Sequence, residues 1–424
     1  MSPSSEDSTS FRLRTYLENY SLKPQRSLFP EKHTLTRVES FKAGSVEVPR
    51  YVNEFWTSKQ RQAASIHEIS YRACFKPQLP RFFIRLLTEP GEKVYDPFCG
   101  RGTTALEAAL CGRQVIANDI NPLSQILTLP RLRVPSLEDV ARRLGKIILE
   151  EKAKADLDLS MFFHPKTEAE IVSLRSYLRD RRSAGLEDDV DRWIRMVATN
   201  RLTGHSPGFF SVYTLPPNQA ASAQRQREIN LKLGQTPPYR NTKQIILKKS
   251  QGLLARVTQE ELRRLREAGQ NALLLTRDAR HTPEIASESV AVTVTSPPFL
   301  DVVQYGDDNW LRCWFNGLDH SRVASSITHT GSLSRWSQVM EETLQELYRI
   351  TRPGGWVAFE VGEVRGGSLN LDEEVVPLGL RAGFECFGVV VNLQSFTKTS
   401  NIWGVENSRK GTNSNRVVLF RKGL

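Results

Sequence analysis

The chain has 424 residues, of which 39% are hydrophobic and 25% are charged. This composition is ordinary for a globular protein, and the length predicts either one large domain with an insertion or two domains. The formal net charge of +11 favours a polyanionic partner, above all nucleic acid, although a generally basic protein would carry the same charge.

Cysteine content and hydrophobicity exclude several classes of protein. The five cysteines are odd in number and include no Cys-x-x-Cys pair, so neither a disulfide framework nor a zinc site is expected, and no other metal site is expected. The N-terminus lacks the apolar core of a signal peptide, and no apolar run is long enough to span a bilayer. We therefore expect a soluble cytoplasmic protein that does not bind membranes.

Residues 1–54 are expected to form an extended N-terminal arm. The first ten residues are mostly Ser, Thr and acidic, which is typical of a disordered end, and the aromatic and basic residues that follow have no clear period. A helix is predicted from Pro80, with an apolar face that includes Phe82 and Leu86, and it ends before Gly91.

Residues 93–112 combine a short strand, a glycine-rich turn and a helix. The turn has the sequence DPFCGRGTT from Asp96 to Thr104, and its glycines allow the backbone to approach a ligand closely, as in nucleotide-binding βα units. The next strand ends at Asp119, and an acidic residue in that place accepts hydrogen bonds from ribose hydroxyls in such folds. A surface Asp in a turn is the plainer alternative.

The DPFCGRGTT sequence resembles motif I of the DNA amino-methyltransferases nearly letter for letter. The resemblance implies S-adenosylmethionine as the cofactor and double-stranded DNA as the substrate. The segment before Pro77 resembles the part of this family that lines the methionine end of the cofactor, and an ordinary loop is an equal alternative. The cofactor-binding residues that the resemblance implies in this half of the chain are Phe75, Lys76, Asp96, Phe98, Gly100, Gly102, Thr103, Asp119 and Ile120.

Residues 132–270 interrupt the α/β pattern and are predicted to form a helical insertion. Apolar residues at helical spacing, with basic flanks, predict helices at 137–153, 167–178, 186–198 and 260–268. The intervening stretch mixes Arg, Lys, Asn and Gln with aromatic residues, a composition that suits phosphates and bases. We interpret the insertion as a DNA-recognition lobe that includes Arg201 as a substrate-binding candidate. A helical cap that only covers the cofactor cleft is the alternative.

Residues 272–280 return to a strand that ends near Asp278. This segment resembles the one that meets the adenine amino group in many methyltransferases, so the resemblance adds Asp278 and Ala279 to the cofactor-binding residues. An Asp that caps the following turn is an interpretation of similar weight.

Residues 291–299, AVTVTSPPF, are predicted to form a buried strand that ends in a rigid loop. The strand must stop at Pro297, because two consecutive prolines cannot continue a central ladder. Ser296 adds an acceptor oxygen and Phe299 adds a flat apolar face, which together suit a planar ring that carries an amino group. A plain strand followed by a Pro-Pro turn is the alternative.

The SPPF sequence resembles the catalytic motif of the same family, and the form with Ser is most similar to its cytosine-N4 branch. The resemblance implies that Phe299 stacks on a flipped-out base, while the Ser296 hydroxyl and the Pro297 carbonyl accept hydrogen bonds from the amine. The catalytic residues are then Ser296, Pro297, Pro298 and Phe299. Tyr305 either borders the base pocket as a substrate-binding residue or packs in the core.

Further αβ elements are predicted to complete the sheet, with a helix at 336–350 and strands at 356–361, 384–391 and 416–421. The loop before the last strand is polar and basic, so it is either a DNA contact or a solvated loop. Its candidate substrate-binding residues are Lys398, Arg409, Lys410 and Asn415.

The predicted fold is therefore α/β, a Rossmann-like S-adenosylmethionine-dependent methyltransferase sheet whose cofactor half (55–131) and catalytic half (271–424) are separated by the insertion. The insertion precedes the Asp278 strand, which departs from the branch that the motif order resembles. Our hypothesis is a site-specific cytosine-N4 methyltransferase of double-stranded DNA, associated with the nucleoid. A cognate restriction endonuclease that acts separately is compatible with it. The alternatives are adenine-N6 methylation of DNA, methylation of an RNA amino group, and a non-catalytic DNA-binding protein on the same fold.

Overall fold

The computed structural model describes residues 8–22, 35–57, 63–71, 74–214, 221–298, 309–327, 332–364, 369–393 and 414–424. Within these ranges the strands are β1 (Arg37–Ala43), β2 (Val46–Asn53), β3 (Lys93–Asp96), β4 (Gln114–Asn118), β5 (Leu273–Leu275), β6 (Val290–Thr295), β7 (Thr351–Val361), β8 (Glu363–Val364), β9 (Leu369–Asn370), β10 (Glu385–Leu393) and β11 (Ser414–Arg421).

The α-helices of the same ranges number fourteen, and none of them is both long and apolar enough to cross a membrane. They are α1 (Ser8–Glu18), α2 (Gln78–Leu87), α3 (Thr103–Leu110), α4 (Leu123–Leu132), α5 (Leu137–Lys146), α6 (Pro165–Ser183), α7 (Asp189–Arg201), α8 (Ala223–Leu233), α9 (Thr242–Leu254), α10 (Gln259–Asn271), α11 (Trp310–Asn316), α12 (His320–Ser326), α13 (Leu333–Ile350) and α14 (Leu371–Arg381).

Nine of the strands form one sheet in the order β1-β2-β10-β11-β7-β6-β3-β4-β5. Strands β7, β6, β3, β4 and β5 run parallel, whereas β11 lies antiparallel between β7 and β10. Parallel strands joined by helices are the pattern of a doubly wound α/β sheet, in which ligands bind at the carboxyl ends of the strands. The Rossmann-like α/β class predicted from the sequence is confirmed.

The central strand β6 shows why the sequence folds this way. All six of its residues are buried, and its small and β-branched side chains suit a strand that is covered on both faces. Val290 belongs to the buried cluster that includes residues of α13 and α14, and Val292 and Val294 belong to the cluster that includes helices of the 132–270 stretch. These helices share one apolar core with the sheet, because Trp193 of α7 and Leu265 of α10 belong to the same buried cluster as Val292.

The N-terminal segment differs from the extended arm that we expected. It contains α1 and the hairpin β1–β2, and β2 pairs in parallel with β10, so that the hairpin extends the sheet. The side-chain oxygen of Asn392 accepts hydrogen bonds from the backbone N–H groups of Phe55 (2.7 Å) and Trp56 (3.0 Å), which fixes the chain where it leaves the hairpin. Four successive exposed residues open β1, so the alternating burial that identifies a strand is absent there.

The helices of the 132–270 stretch match the prediction in kind but not in every boundary. Helix α5 ends at Lys146, earlier than predicted, and α8 and α9 lie where we expected loop-rich chain. Their N-caps, Ser222 and Asn241, each accept a backbone N–H three residues later, a signal that was readable in the sequence. The proposed limits of the insertion, 132 and 270, remain a prediction.

Candidate active site

The loop after β3 is braced by the carboxylate of Asp96. It accepts hydrogen bonds from the Thr295 hydroxyl (2.6 Å) and the Phe98 backbone N–H (3.1 Å), so it joins the end of β3 to the end of β6. Burial raises the pKa of Asp96 to about 7, and these hydrogen bonds oppose the rise. Asp96 therefore fixes the two strand ends relative to each other, 199 positions apart in the sequence.

Two glycines of this loop have left-handed backbone conformations, with φ of +52° at Gly100 and +81° at Gly102. A Cβ at Gly102 would also lie 2.4 Å from the Thr128 hydroxyl. Only glycine fits such a position without strain and without displacing the neighbouring helix. The requirement at Gly102 thus comes from packing of the loop against α4.

The loop after β4 is organised by Asn118 and Asp119. The Asn118 side chain bonds to the Pro97 carbonyl and to both the N–H and the carbonyl of Arg277, and so it ties three strand ends together. Each carboxylate oxygen of Asp119 accepts one backbone N–H, from Gly100 (2.7 Å) and from Asn121 (2.8 Å). Burial raises the pKa of Asp119 to about 6, against the effect of these two bonds.

A cavity of about 950 Å³, open solvent at its mouth included, lies across these strand ends. Ten of the residues that we predicted from the sequence line it together, although they come from five different segments of the chain. Those residues are Phe75, Phe98, Gly100, Thr103, Asp119, Ile120, Asp278, Ala279, Ser296 and Pro298.

Four predicted residues do not belong to the lining of this cavity. The carboxylate of Asp96 faces Thr295, and Gly102 faces Thr128, so both support the loop from behind. Pro297 is buried beneath the loop, and half-buried Lys76 lies in the turn that begins α2, where its carbonyl accepts the Leu79 N–H. For these four, a direct border with the ligand remains a prediction, and the contacts just described support the loops of the site.

Ser296 lies beside a buried acid that sequence reasoning missed. Its side chain interacts with the carboxylate of Glu360, and the Asn415 amide donates a hydrogen bond of 2.8 Å to the same carboxylate. Glu360 is only 5% exposed, and burial raises its pKa to about 7. A charged residue in the apolar end of β7 is the signal that should have singled it out.

Asn415 has a partner inside the protein. Its side chain donates a hydrogen bond to Glu360, because β11 pairs with β7 and sets Asn415 beside the end of that strand. This bond helps to position the acid behind Ser296, and a DNA contact of Asn415 remains a prediction.

Helix α13 forms a wall of the cavity that sequence reasoning also missed. Val339, Met340 and Thr343 line the cavity, and the Trp336 indole donates a 2.9 Å hydrogen bond to the Pro298 carbonyl. Tyr71 lines it from the segment before α2. Nothing in the sequence distinguishes these side chains from core residues, since each belongs to an ordinary apolar pattern.

Of the predicted residues not yet placed, the structure describes only Arg201. Arg201 is 8% exposed, lies at the end of α7 and is not part of the cavity lining. The catalytic candidate Phe299 and the substrate-binding candidates Tyr305, Lys398, Arg409 and Lys410 lie outside the described residues.

The known proteins that are similar to this chain include methyltransferases. Residues 14–125 match the N6/N4 methyltransferase family model, described as DNA methylase. Over 61 residues the chain is 43% identical to the type II methyltransferase M.MvaI of Kocuria varians, a stretch that covers 14% of this chain and 13% of that relative. The matched part is therefore a small share of the relative's length.

The similar solved structures include TrmN from Thermus thermophilus, at 15% identity and a TM-score of 0.32, over 86% of this chain and 53% of that chain. A SAM-dependent methyltransferase from Methanosarcina mazei has 11% identity and a TM-score of 0.32, over 81% and 97%. A candidate DNA modification methylase from Thermus thermophilus has 18% identity and a TM-score of 0.22, over 35% and 51%. These TM-scores are too low to add support for the fold described above.

Proposed function

We propose that the protein transfers a methyl group from S-adenosylmethionine to the N4 amine of a cytosine in double-stranded DNA, because residues 14–125 match the N6/N4 DNA methylase family model. The loop that carries Ser296 and the loop that carries Gly100 line one cavity. A site across neighbouring strand ends is the usual place for a ligand of an α/β sheet.

The lining residues fit S-adenosylmethionine. One oxygen of Asp119 accepts the N–H group of Gly100 and the other accepts that of Asn121. Each oxygen keeps a lone pair that can accept a hydrogen bond from a ribose hydroxyl. Phe98 and Ile120 add apolar surface for the adenine ring. When bound there, S-adenosylmethionine supplies a methyl group on a positively charged sulfur.

The observation that carries the proposal is that Ser296 lines the cavity and interacts with the Glu360 carboxylate behind it. A serine hydroxyl has one proton, and when that proton is donated to Glu360, the oxygen can only accept towards the cavity. An acceptor in this place binds an amine N–H and turns the nitrogen lone pair away from Ser296, towards the rest of the cavity. As the nitrogen gains the methyl group it loses one proton, which the Glu360 carboxylate can take through the Ser296 hydroxyl.

Product analysis tests this function. Purified protein is incubated with unmethylated duplex DNA and methyl-labelled S-adenosylmethionine, and the DNA is then digested and its nucleosides are identified by mass spectrometry. We expect the label in N4-methylcytosine, at one short sequence, with the target base flipped out of the duplex. Label in N6-methyladenine would show that adenine, not cytosine, is the target base. Tight DNA binding without methyl transfer to any DNA would instead indicate a non-catalytic DNA-binding protein.

A further inference from the structure

A group of basic side chains lies on the insertion side of Tyr71, and we call Arg201, Lys249 and Arg312 the Tyr71 basic cluster. Arg312 donates a 3.0 Å hydrogen bond to the Ser70 carbonyl, and its guanidinium lies 5.7 Å from the centre of the Tyr71 ring. Tyr71 lines the cavity. The cluster is therefore adjacent to the candidate active site, on the side of α7, α9 and α11.

Arg201 is held in a fixed orientation by neutral groups. Its Nε and Nη2 atoms donate to the carbonyl and to the side-chain oxygen of Asn200, at 3.0 and 2.7 Å, and its guanidinium stacks 3.9 Å above the Phe209 ring. The Asn200 side chain in turn bonds to both backbone polar groups of Ser70. The guanidinium is thus oriented before any ligand arrives.

The charge of Arg201 and Lys249 is not neutralised within the part of the chain that the structure describes. Other arginines of the insertion bond to carboxylates, as Arg143 does to Asp188 at 2.6 Å. Arg201 instead bonds to Asn200, and half-buried Lys249 makes no hydrogen bond or ion pair with any described residue. Two cations without a carboxylate between them are costly in a poorly solvated place.

The electrostatics of Lys249 agree with this geometry. Burial, and after it the nearby charge of Arg201, lowers the pKa of Lys249 to about 8, and Glu68 opposes that effect. Glu68 already bonds to Arg256 at 2.5 Å. An added anion would relieve the repulsion between Arg201 and Lys249.

We propose that Arg201 and Lys249 bind a backbone phosphate of the DNA next to the target base. This inference rests on the proposed function. None of the three cluster residues lines the cavity formed by the described residues, so the carboxylate of the cofactor is not the anion in question. A rigid guanidinium and a mobile ammonium on neighbouring helices suit the tetrahedral oxygens of a phosphodiester, and such contacts fix the position of a protein on the duplex.

The salt dependence of DNA binding tests the site, with Lys249→Gln as the variant and Lys248→Gln as its control. Lys248 is exposed and precedes Lys249 on the same helix, so both variants lose one charge, but only one loses the contact. A direct phosphate contact contributes about one unit to the slope of log K against log salt. We expect Lys249→Gln to reduce the magnitude of that negative slope by about one, and Lys248→Gln to leave it nearly unchanged.

Further measurements separate this site from the proposed function and from a structural role. Lys249→Met should raise the melting temperature, because it removes a buried charge, while it weakens DNA binding as Lys249→Gln does. Equal slopes for Lys249→Gln and Lys248→Gln, or inorganic phosphate that binds the wild type without competing with DNA, would overturn the phosphate site. DNA binding with the expected slopes but without methyl transfer would support the phosphate site and contradict the proposed methyltransferase activity.

Discussion

The indole nitrogen of Trp336 donates a hydrogen bond to the carbonyl oxygen of Pro298 at 2.9 Å. The bond connects α13, one wall of the cavity, to the loop that follows β6 and carries Ser296. Trp336 is 2% exposed, so the donor is oriented by packing on all sides. The position of the Ser296 loop thus depends on a helix that contributes no group to the chemistry.

Trp336→Phe should reduce turnover more than it reduces stability. The variant keeps an aromatic ring but loses the donor, and we expect kcat to fall about 10-fold, since small misplacements of reacting groups cost up to about 100-fold in rate. Trp310→Phe is the matched control, because the Trp310 indole also donates to a carbonyl, that of Ala221 at 3.1 Å. Similar kcat values for the two variants would contradict a positioning role for Trp336.

Glu360→Gln should change how methyl transfer depends on pH. The pKa of Glu360 is raised to about 7 by burial, so the carboxylate that accepts the proton forms as the pH rises through 7. We expect the wild-type rate at saturating substrates to increase across that range and the rate of the Gln variant to be lower by about 100-fold and flat. Glu341→Gln, at a carboxylate that pairs with Arg381, is the control and should keep the wild-type profile.

The same substitution should also affect stability in a pH-dependent way. Because the pKa of Glu360 is higher in the folded protein than in the unfolded chain, the folded state loses stability as the pH rises from the unfolded value, about 4.3, to the folded value. Glu360→Gln removes this loss. The gain in melting temperature should therefore be larger at about pH 8 than at about pH 5, and a gain independent of pH would argue against a buried, ionising Glu360.

Asp119→Asn should weaken cofactor binding. The two oxygens of Asp119 accept N–H groups from Gly100 and Asn121, so an amide would oppose one of these donors with its own N–H. We expect the Kd for S-adenosylhomocysteine in calorimetry to rise about 10- to 100-fold, the range for loss of a hydrogen bond to a charged group. Asp158→Asn disturbs a similar bond, from the Ser160 N–H at 3.0 Å on the surface, and should leave this Kd unchanged.

Gly102→Ala should destabilise the protein more than Gly112→Ala. Both glycines have positive φ, +81° and +74°, but only at Gly102 would a Cβ meet other atoms, those of Thr128. The left-handed conformation alone costs about 1–2 kcal/mol for a non-glycine residue, and we expect Gly102→Ala to exceed that cost in urea unfolding. Equal losses of unfolding free energy for the two variants would show that the loop shifts to accommodate a Cβ beside α4.

Sequence reasoning identified the loops of the site better than their inner supports. Phe98, Asp119 and Ser296 belong to short patterns whose residue types are dictated by ligand or backbone geometry, so a local sequence is enough to find them. Glu360 and Trp336 act through neighbours that are distant in sequence, and their positions depend on strand order and helix packing. No local pattern contains that information.

The fold was predictable to a similar degree. The parallel strands and the helices of the 132–270 stretch follow from burial and periodicity, whereas the hairpin β1–β2 owes its place to pairing with β10. That partner strand lies more than three hundred positions away, and tertiary contact determines the outcome where local pattern is weak.

The pairing of β2 with β10 has a consequence for how the chain assembles in the cell. Phe55 and Asn392, which are joined by a hydrogen bond, are 337 positions apart, and a ribosome adds about 5–20 residues per second. The hairpin therefore waits about 17–67 seconds after its own synthesis before its partner strand exists. During that interval Val48, Tyr51 and Val52, all buried in the finished sheet, lack the partner strand beside which they are finally buried, and chaperones can bind.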